Sequence, residues 1–237
     1  MAITPFLAMT AAEIHAAAVL PEKTAWMACH FSPYGTGLSN LPAQLPAGSL
    51  LILNDRIPIH GHDLRTIEAQ LQTWFENNPC QGLLLDFQRP DCRETALLAQ
   101  HLCRELGCPV VLSEGYARDL DCPVFLPPLP HHVPLEEYLL SWKDREIWLE
   151  LALDGEMITV TEEGCTISPL SGGIPENGHI EDALHCHYCV GLTGNSAEFI
   201  LWRSHMDLNA LLKEADKLGV ATAVGLFQEL GFVGRGS

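Results

Sequence analysis

The sequence predicts an α/β protein built as a (β/α)8 barrel, complete or short of one unit. Strand-like apolar runs alternate with amphipathic helical stretches along the chain. Several of those runs are apolar at every position, as strands buried on both faces of a parallel sheet must be. The length, 237 residues, suits one small barrel as a single domain. A doubly wound open sheet is the alternative. However, no G-x-G-x-x-G or G-x-x-x-x-G-K motif follows any strand, and no cofactor is expected.

The first twenty residues, MAITPFLAMTAAEIHAAAVL, carry no basic n-region, and Glu13 and His15 interrupt their apolar stretch. They do not read as a signal peptide. Residues 1–24 are expected to be a short helix or a loose N-terminal segment. Trp26–Phe31 and Ser49–Leu53 read as strands. From His62 to Phe75, Leu64, Ile67, Leu71, Trp74 and Phe75 recur at helical spacing. Gly82–Phe87 is the clearest strand. Residues 91–106 predict a helix, with Asp91 as N-cap and Gly107 as stop. Pro109–Leu112 and Pro123–Leu126 follow as strands, and residues 134–143 as a helix.

Glu146–Leu153 is the next strand. Asp154-Gly155 then signals a hairpin into Met157–Val160. A Gly-, Ser- and Pro-rich loop runs from Ser168 to Gly178. His187–Leu192 and Glu198–Trp202 form a further strand pair. The helix Leu208–Leu218 and the strand Ala221–Phe227 close the chain. This makes seven or eight core strands, with a β-hairpin insertion at about residues 154–197 before the last one.

Lys and Arg number 13 against 30 Asp and Glu, a net charge of −17. Such a surface repels phosphate backbones and anionic headgroups, so neither nucleic acid nor membrane is an expected partner. A neutral carbohydrate-like ligand meets no such penalty. No apolar run reaches the ~18 residues of a spanning helix, and a cytoplasmic location is expected. The nine cysteines show no framework spacing and read as reduced thiols buried like small apolar residues. His185, Cys186, His187 and Cys189 have ligand-like chemistry but no partner pair. On a strand, Cys186 and Cys189 would face opposite ways, so no metal is expected.

In a parallel barrel, polar residues at the carboxyl ends of strands converge on one mouth. They are His30, Asn54 and Asp55, Asp86 with Gln88 and Arg89, Ser113 and Glu114, Glu150 or Asp154, and Gln228 and Glu229. Plain alternatives exist. Asn54-Asp55 suits a strand-to-loop turn, Glu114-Gly115 an exposed loop, and Arg89 a partner for Asp86. Asp86, ending an apolar strand, needs partners or a function.

The stretch Gln81-Gly82-Leu83-Leu84-Leu85-Asp86-Phe87-Gln88 resembles the catalytic strand of the chitinase-like glycoside hydrolases of family 18, whose pattern is D-G-x-D-x-D-x-E. Gly82, Asp86 and the alternating apolar strand with an aromatic before its last position match. Gln81, Leu84 and Gln88 stand where the family has carboxylates. Residues 198–231 resemble that family's closing unit, with Phe227 in place of its Trp floor under the sugar. The upstream hairpin is similar too, and the resemblance runs in order over residues 50–231.

In that family the final Glu protonates the leaving oxygen, while the preceding Asp orients the N-acetyl group as it attacks its own anomeric carbon. The resemblance therefore gives Asp86 the orienting role and puts Gln88, an amide, in the acid's place. The family's acetamide-holding Tyr follows a later strand, and the matching stretch here, Pro123–Pro130, contains none. The expectation is a degenerate glycoside-hydrolase-like barrel that binds a carbohydrate or related small ligand without efficient hydrolysis. Asp86, Gln88 and Glu114 are its catalytic-site candidates. His30, Asn54, Asp55, Arg89, Glu150, Phe227 and Gln228 are its ligand-binding candidates. The rivals are an active glycosidase with a relocated acid, Glu114 acting with Asp86, and a non-catalytic interaction protein with a closed mouth.

Overall fold

A computed structural model describes residues 3–35, 37–59, 61, 63–90 and 92–231. The chain opens with β1 (Phe6–Met9), α1 (Ala11–Ala16), β2 (Thr24–Phe31) and the short β3 (Leu38–Ser39). Next come β4 (Leu50–Asn54), α2 (Leu64–Asn77), β5 (Gly82–Asp86), α3 (Arg93–Glu105), β6 (Val110–Ser113), α4 (Glu114–Ala117) and β7 (Val124–Leu126). α5 (Leu135–Leu139), with a 3-10 turn at Leu140–Trp142, precedes β8 (Ile147–Leu151). Five strands follow: β9 (Gly155–Thr161), β10 (Gly164–Pro169), β11 (His179–Glu181), β12 (Cys186–Thr193) and β13 (Ser196–Trp202). The chain ends with α6 (His205–Lys217), β14 (Thr222–Leu226) and the single turn α7 (Phe227–Leu230).

β1, β2, β4, β5, β6, β7, β8 and β14 pair in parallel, and β1 closes the ring by pairing with both β14 and β2. The barrel is complete, with eight strands. Its apolar strands serve two cores. Phe6, Ala8, Ala25, Leu50, Ile52, Leu84, Val111, Phe125, Trp148 and Val224 fill the interior. Alternate residues such as Leu51, Leu53, Leu83, Leu85 and Leu112 pack outward against Ile67, Leu71, Leu98, Leu102 and Leu211 of the helices. That double burial is why period-2 alternation is missing from these runs. At Gly82 a Cβ would meet the Pro109 carbonyl oxygen at 2.7 Å, so only glycine lets β5 lie this close.

The expected loose N-terminus is corrected at Phe6–Met9, which supplies the closing strand. Phe6 and Met9 are fully buried, and the Phe6 ring stacks on Trp148 at 6.1 Å. Thr10 ends the strand and caps α1 in a reciprocal capping box with Glu13. In α2 the cap is Asp63, whose carboxylate accepts from the Arg65 amide at 3.1 Å. The predicted cap Asp91 lies outside the described residues, and Cys92 holds the N-cap position of α3 without a side-chain bond.

The insertion is larger than a hairpin. β10-β9-β13-β12-β11 form a five-stranded antiparallel sheet between β8 and α6. Asp154-Gly155 is not its turn. Gly155 opens β9 opposite Trp202, where a Cβ would stand 2.9 Å from the Leu201 carbonyl oxygen. The hairpin turn falls at Glu162-Glu163, closed by the pair Thr161–Gly164. Because it follows the carboxyl end of β8, the sheet rises on the mouth side of the barrel. No helix of the described residues is long and apolar enough to cross a membrane.

Candidate active site at the barrel mouth

Counting two residues on from the interior positions gives the upper inward layer. Ile52 leads to Asn54, Leu84 to Asp86, Val111 to Ser113 and Trp148 to Glu150. Asn54 and Asp86 are register partners. Asp86 and Glu150 are the carboxyl groups of this layer.

Asp86 accepts a hydrogen bond on Oδ1 from Gln88 Nε2 at 2.5 Å. Burial raises its pKa and the Asp55 charge adds to the rise, against the opposing bond from Gln88. Glu150 is pushed further. Burial first, then the charges of Asp86, Asp154 and Glu229, hold its carboxyl at about 7. A carboxyl half-protonated near neutral pH can deliver a proton.

A cavity of about 720 Å³ opens beside these groups. Its wall includes Phe87, Gln88, Ser113, Glu114, Tyr116 and Glu150. Most of the remaining wall comes from the loop after β5, the first turns of α3 and α4, so the cavity is offset from the barrel axis. Phe125 reaches it from the barrel interior, and Asp86 is not on the lining.

The other sequence candidates divide. Asp55 is buried, and its carboxylate accepts from the amides of Gln88 and Arg89, both at 2.9 Å. It therefore fixes the loop that carries Gln88. Arg89 does not pair with Asp86. Its guanidinium donates to the carbonyls of Asp55 at 2.8 Å and Arg56 at 2.9 Å. Asn54 spans an irregularity in β2, where the register shifts between Trp26 and Cys29, by donating to the Met27 and Cys29 carbonyls. His30 bonds its own neighbourhood, the Phe31 carbonyl and Asn40. Phe227 and Gln228 lie in α7 rather than at the end of a strand. Neither lines the cavity, and Gln228 bonds Glu13.

Two residues were missed by sequence. Tyr138, on α5, donates its hydroxyl to the Pro127 carbonyl at 2.9 Å. Burial, then the Glu114 and Glu150 charges, raise its pKa, which sets the phenol near both carboxylates. Tyr116 donates to the Arg89 carbonyl and packs edge-on to Phe87. A search for a Tyr within Pro123–Pro130 could not find Tyr138, which arrives from the following helix.

Among the described residues, no group of three or more His, Cys, Asp or Glu could hold a metal ion. In the His185–Cys189 stretch, the buried Cys186 thiol donates to the His131 carbonyl at 3.7 Å. His187 Nδ1 meets Asp207 Oδ2 at 2.7 Å, and its ring stacks on Trp202.

No protein-family model matches the chain, and no curated protein does. Solved structures do. A chitinase from Chromobacterium violaceum superposes with a TM-score of 0.58 at 10% identity, covering 94% of this chain and 93% of that one. The spore cortex-lytic enzyme SleL of Bacillus cereus gives 0.56 at 10%, covering 94% and 70%. A chitinase-like agglutinin from Robinia pseudoacacia gives 0.55 at 11%, covering 93% of each. Likeness at such low identity shows the fold alone, a (β/α)8 barrel of the kind that these two enzymes and this agglutinin share.

Proposed function

We propose that the barrel mouth binds a neutral, N-acetylglucosamine-type oligosaccharide and does not hydrolyse it efficiently. The observation that carries this reading is the 2.5 Å bond from Gln88 to Asp86. The carboxylate suited to orient an acetamide is tied to an amide standing where a proton donor is needed. General acid catalysis contributes ~10² to 10⁴ in rate, or roughly 3 to 5.5 kcal/mol of barrel-mouth chemistry that an amide cannot supply. The cavity beside Gln88 favours an occupied mouth over a closed one. The net charge of −17 favours a neutral polymer. The same fold serves an agglutinin as well as chitinases.

A second reading, an active glycosidase with a relocated acid, is favoured by one observation. The acid it needs is Glu150, held at about 7, rather than Glu114. Turnover of a fluorogenic N-acetylglucosamine oligomer, with calorimetric binding of the unlabelled oligomer, separates the two. The first reading expects binding without turnover, and a gain of up to ~10² to 10⁴ in Gln88→Glu. Wild-type turnover abolished by Glu150→Gln and spared by Glu114→Gln would establish the second. Absence of binding would overturn both.

A further inference from the structure

The inserted sheet has one apolar face. Register pairing aligns Cys165, Val160, Ala197 and Leu192 across four strands. Two residues further on, Ile167, Ile158, Phe199 and Val190 align in the same way. Much of this face is open to solvent: Leu192 is 82% exposed, Ile167 50%, Val190 49% and Val160 39%. Isolated exposed apolar residues are ordinary, whereas a continuous sheet face of them marks an interaction surface.

The edge beside that face is equally open. β10 is an outer strand, exposed from Gly164 to Ile167. The Leu170 amide donates to the Gly155 carbonyl at 2.8 Å. By the alternation of an antiparallel ladder, Cys165 and Ile167 then point their backbone N–H and C=O groups away from β9. Soluble proteins protect such an edge with Lys, a bulge or an inner Pro. Here Gly164–Ser168 is uncharged, and Pro169 stands only at its end. Charge completes the pattern. Residues 154–202 contain eight Asp and Glu and no Lys or Arg.

We infer that β10 is the docking edge for an extended, Lys- or Arg-bearing segment of a partner protein. The segment joins the inserted sheet as a further strand and lays alternate apolar side chains beside Cys165 and Ile167. Backbone pairing provides the attachment, as in other cases of strand addition. The acidic surroundings select a basic segment and disfavour a second copy of this chain, which carries −17 itself.

The test uses the full chain and three synthetic twelve-residue peptides. One alternates Val and Lys, one alternates Val and Glu, and one is the Val/Lys peptide with two central prolines. The Val/Lys peptide is expected to bind, to shift the amide resonances of Cys165 and Ile167, and to weaken as salt is raised. The other two are expected to bind at least tenfold more weakly. Cys165→Pro removes one outward N–H without touching the β9 ladder, and Ile167→Lys places a like charge on the edge. Each should weaken binding at least tenfold while far-UV circular dichroism stays as in the wild type. The proposal is overturned if no Val/Lys binding is seen, if binding survives both substitutions, or if the shifts fall at the barrel mouth. It is also overturned if sedimentation shows a dimer that Ile167→Lys dissociates, which would give the edge to a second copy.

Discussion

Glu150 and Glu156 lie six residues apart and experience opposite fields. Glu150 ends a barrel strand, and the charges that reach it, those of Asp86, Asp154 and Glu229, are all negative; together with burial they hold its carboxyl at about 7. Glu156 begins the inserted sheet, where burial would also raise its pKa. There, however, the His131 and His132 side chains outweigh burial and hold it at about 2. Apart from the His131 ring nitrogens, the buried polar groups around Glu156 have found partners. Arg203 is buried and donates to the carbonyls of Leu129, Pro130, Leu184 and His185. Asp207 completes the capping box of α6 by accepting from the Ser204 amide, and meets His187. A buried polar group that has found its partners reads as architecture. A strained carboxyl facing like charge beside a cavity reads as a site.

Removing the compensation should cost more than removing the strain. Arg203→Ala leaves four carbonyls at the junction without their donor. We expect a loss of ~3 to 4 kcal/mol in urea unfolding, as for other buried charged networks. A loss under about 1 kcal/mol would mean that water replaces the guanidinium freely.

The mouth should behave in the opposite sense. Glu150 has a raised folded pKa, so its contribution to stability is full below the unfolded value near 4.5 and is lost as pH rises through about 7. Glu150→Gln should therefore flatten the fall in stability between pH 5 and pH 8 by about 2 kcal/mol, allowing for partial exposure. It should make the protein more stable than wild type at pH 8. Parallel pH–stability curves for the two proteins would show that the mouth is not strained.

The same contrast explains what could be seen in the sequence. Gly82–Asp86 and Leu50–Asn54 were legible because double burial writes continuous apolar runs. α2, α3 and α6 were legible because one-sided burial writes a helical period. Phe6–Met9 was not. Four residues are too few for periodicity, and what makes them a strand is the gap they close between β14 and β2. The order of the inserted sheet was equally hidden, since Asp154-Gly155 has a hairpin's composition but a crossing strand's environment. At the mouth, Asp86 and Gln88 were visible as a strand ending. The raised pKa of Glu150 was not, because it depends on burial and on the charges of Asp86, Asp154 and Glu229. The composition also showed Asn54 and Asp55 as polar strand ends without revealing that one bridges a β irregularity and the other holds a loop.

The smallest expected effect lies at Glu156. Its carboxylate accepts from the His131 amide at 3.2 Å and from His132 Nδ1 at 2.8 Å. The His131 ring is buried, with nitrogens 3.5 Å from Asp154 and 3.9 Å from Glu156. Those distances allow charge attraction, but neither ring nitrogen makes a hydrogen bond. Glu156 has a lowered folded pKa, so its contribution is present above the unfolded value near 4.5 and is lost as pH falls through about 2. Glu156→Gln keeps the shape and an acceptor oxygen for the His131 amide while removing the charge. The variant should be about 1 kcal/mol less stable than wild type at pH 5.5, where the Glu156 carboxylate is charged and accepts from His131 and His132. The gap should close as pH approaches 2, because the wild-type carboxylate is then being neutralised as well. Urea unfolding at several pH values in this range reads the gap directly. If it stays constant down to pH 2, Glu156 acts through shape alone, and the contrast with Glu150 would rest on burial rather than on the sign of the neighbouring charge.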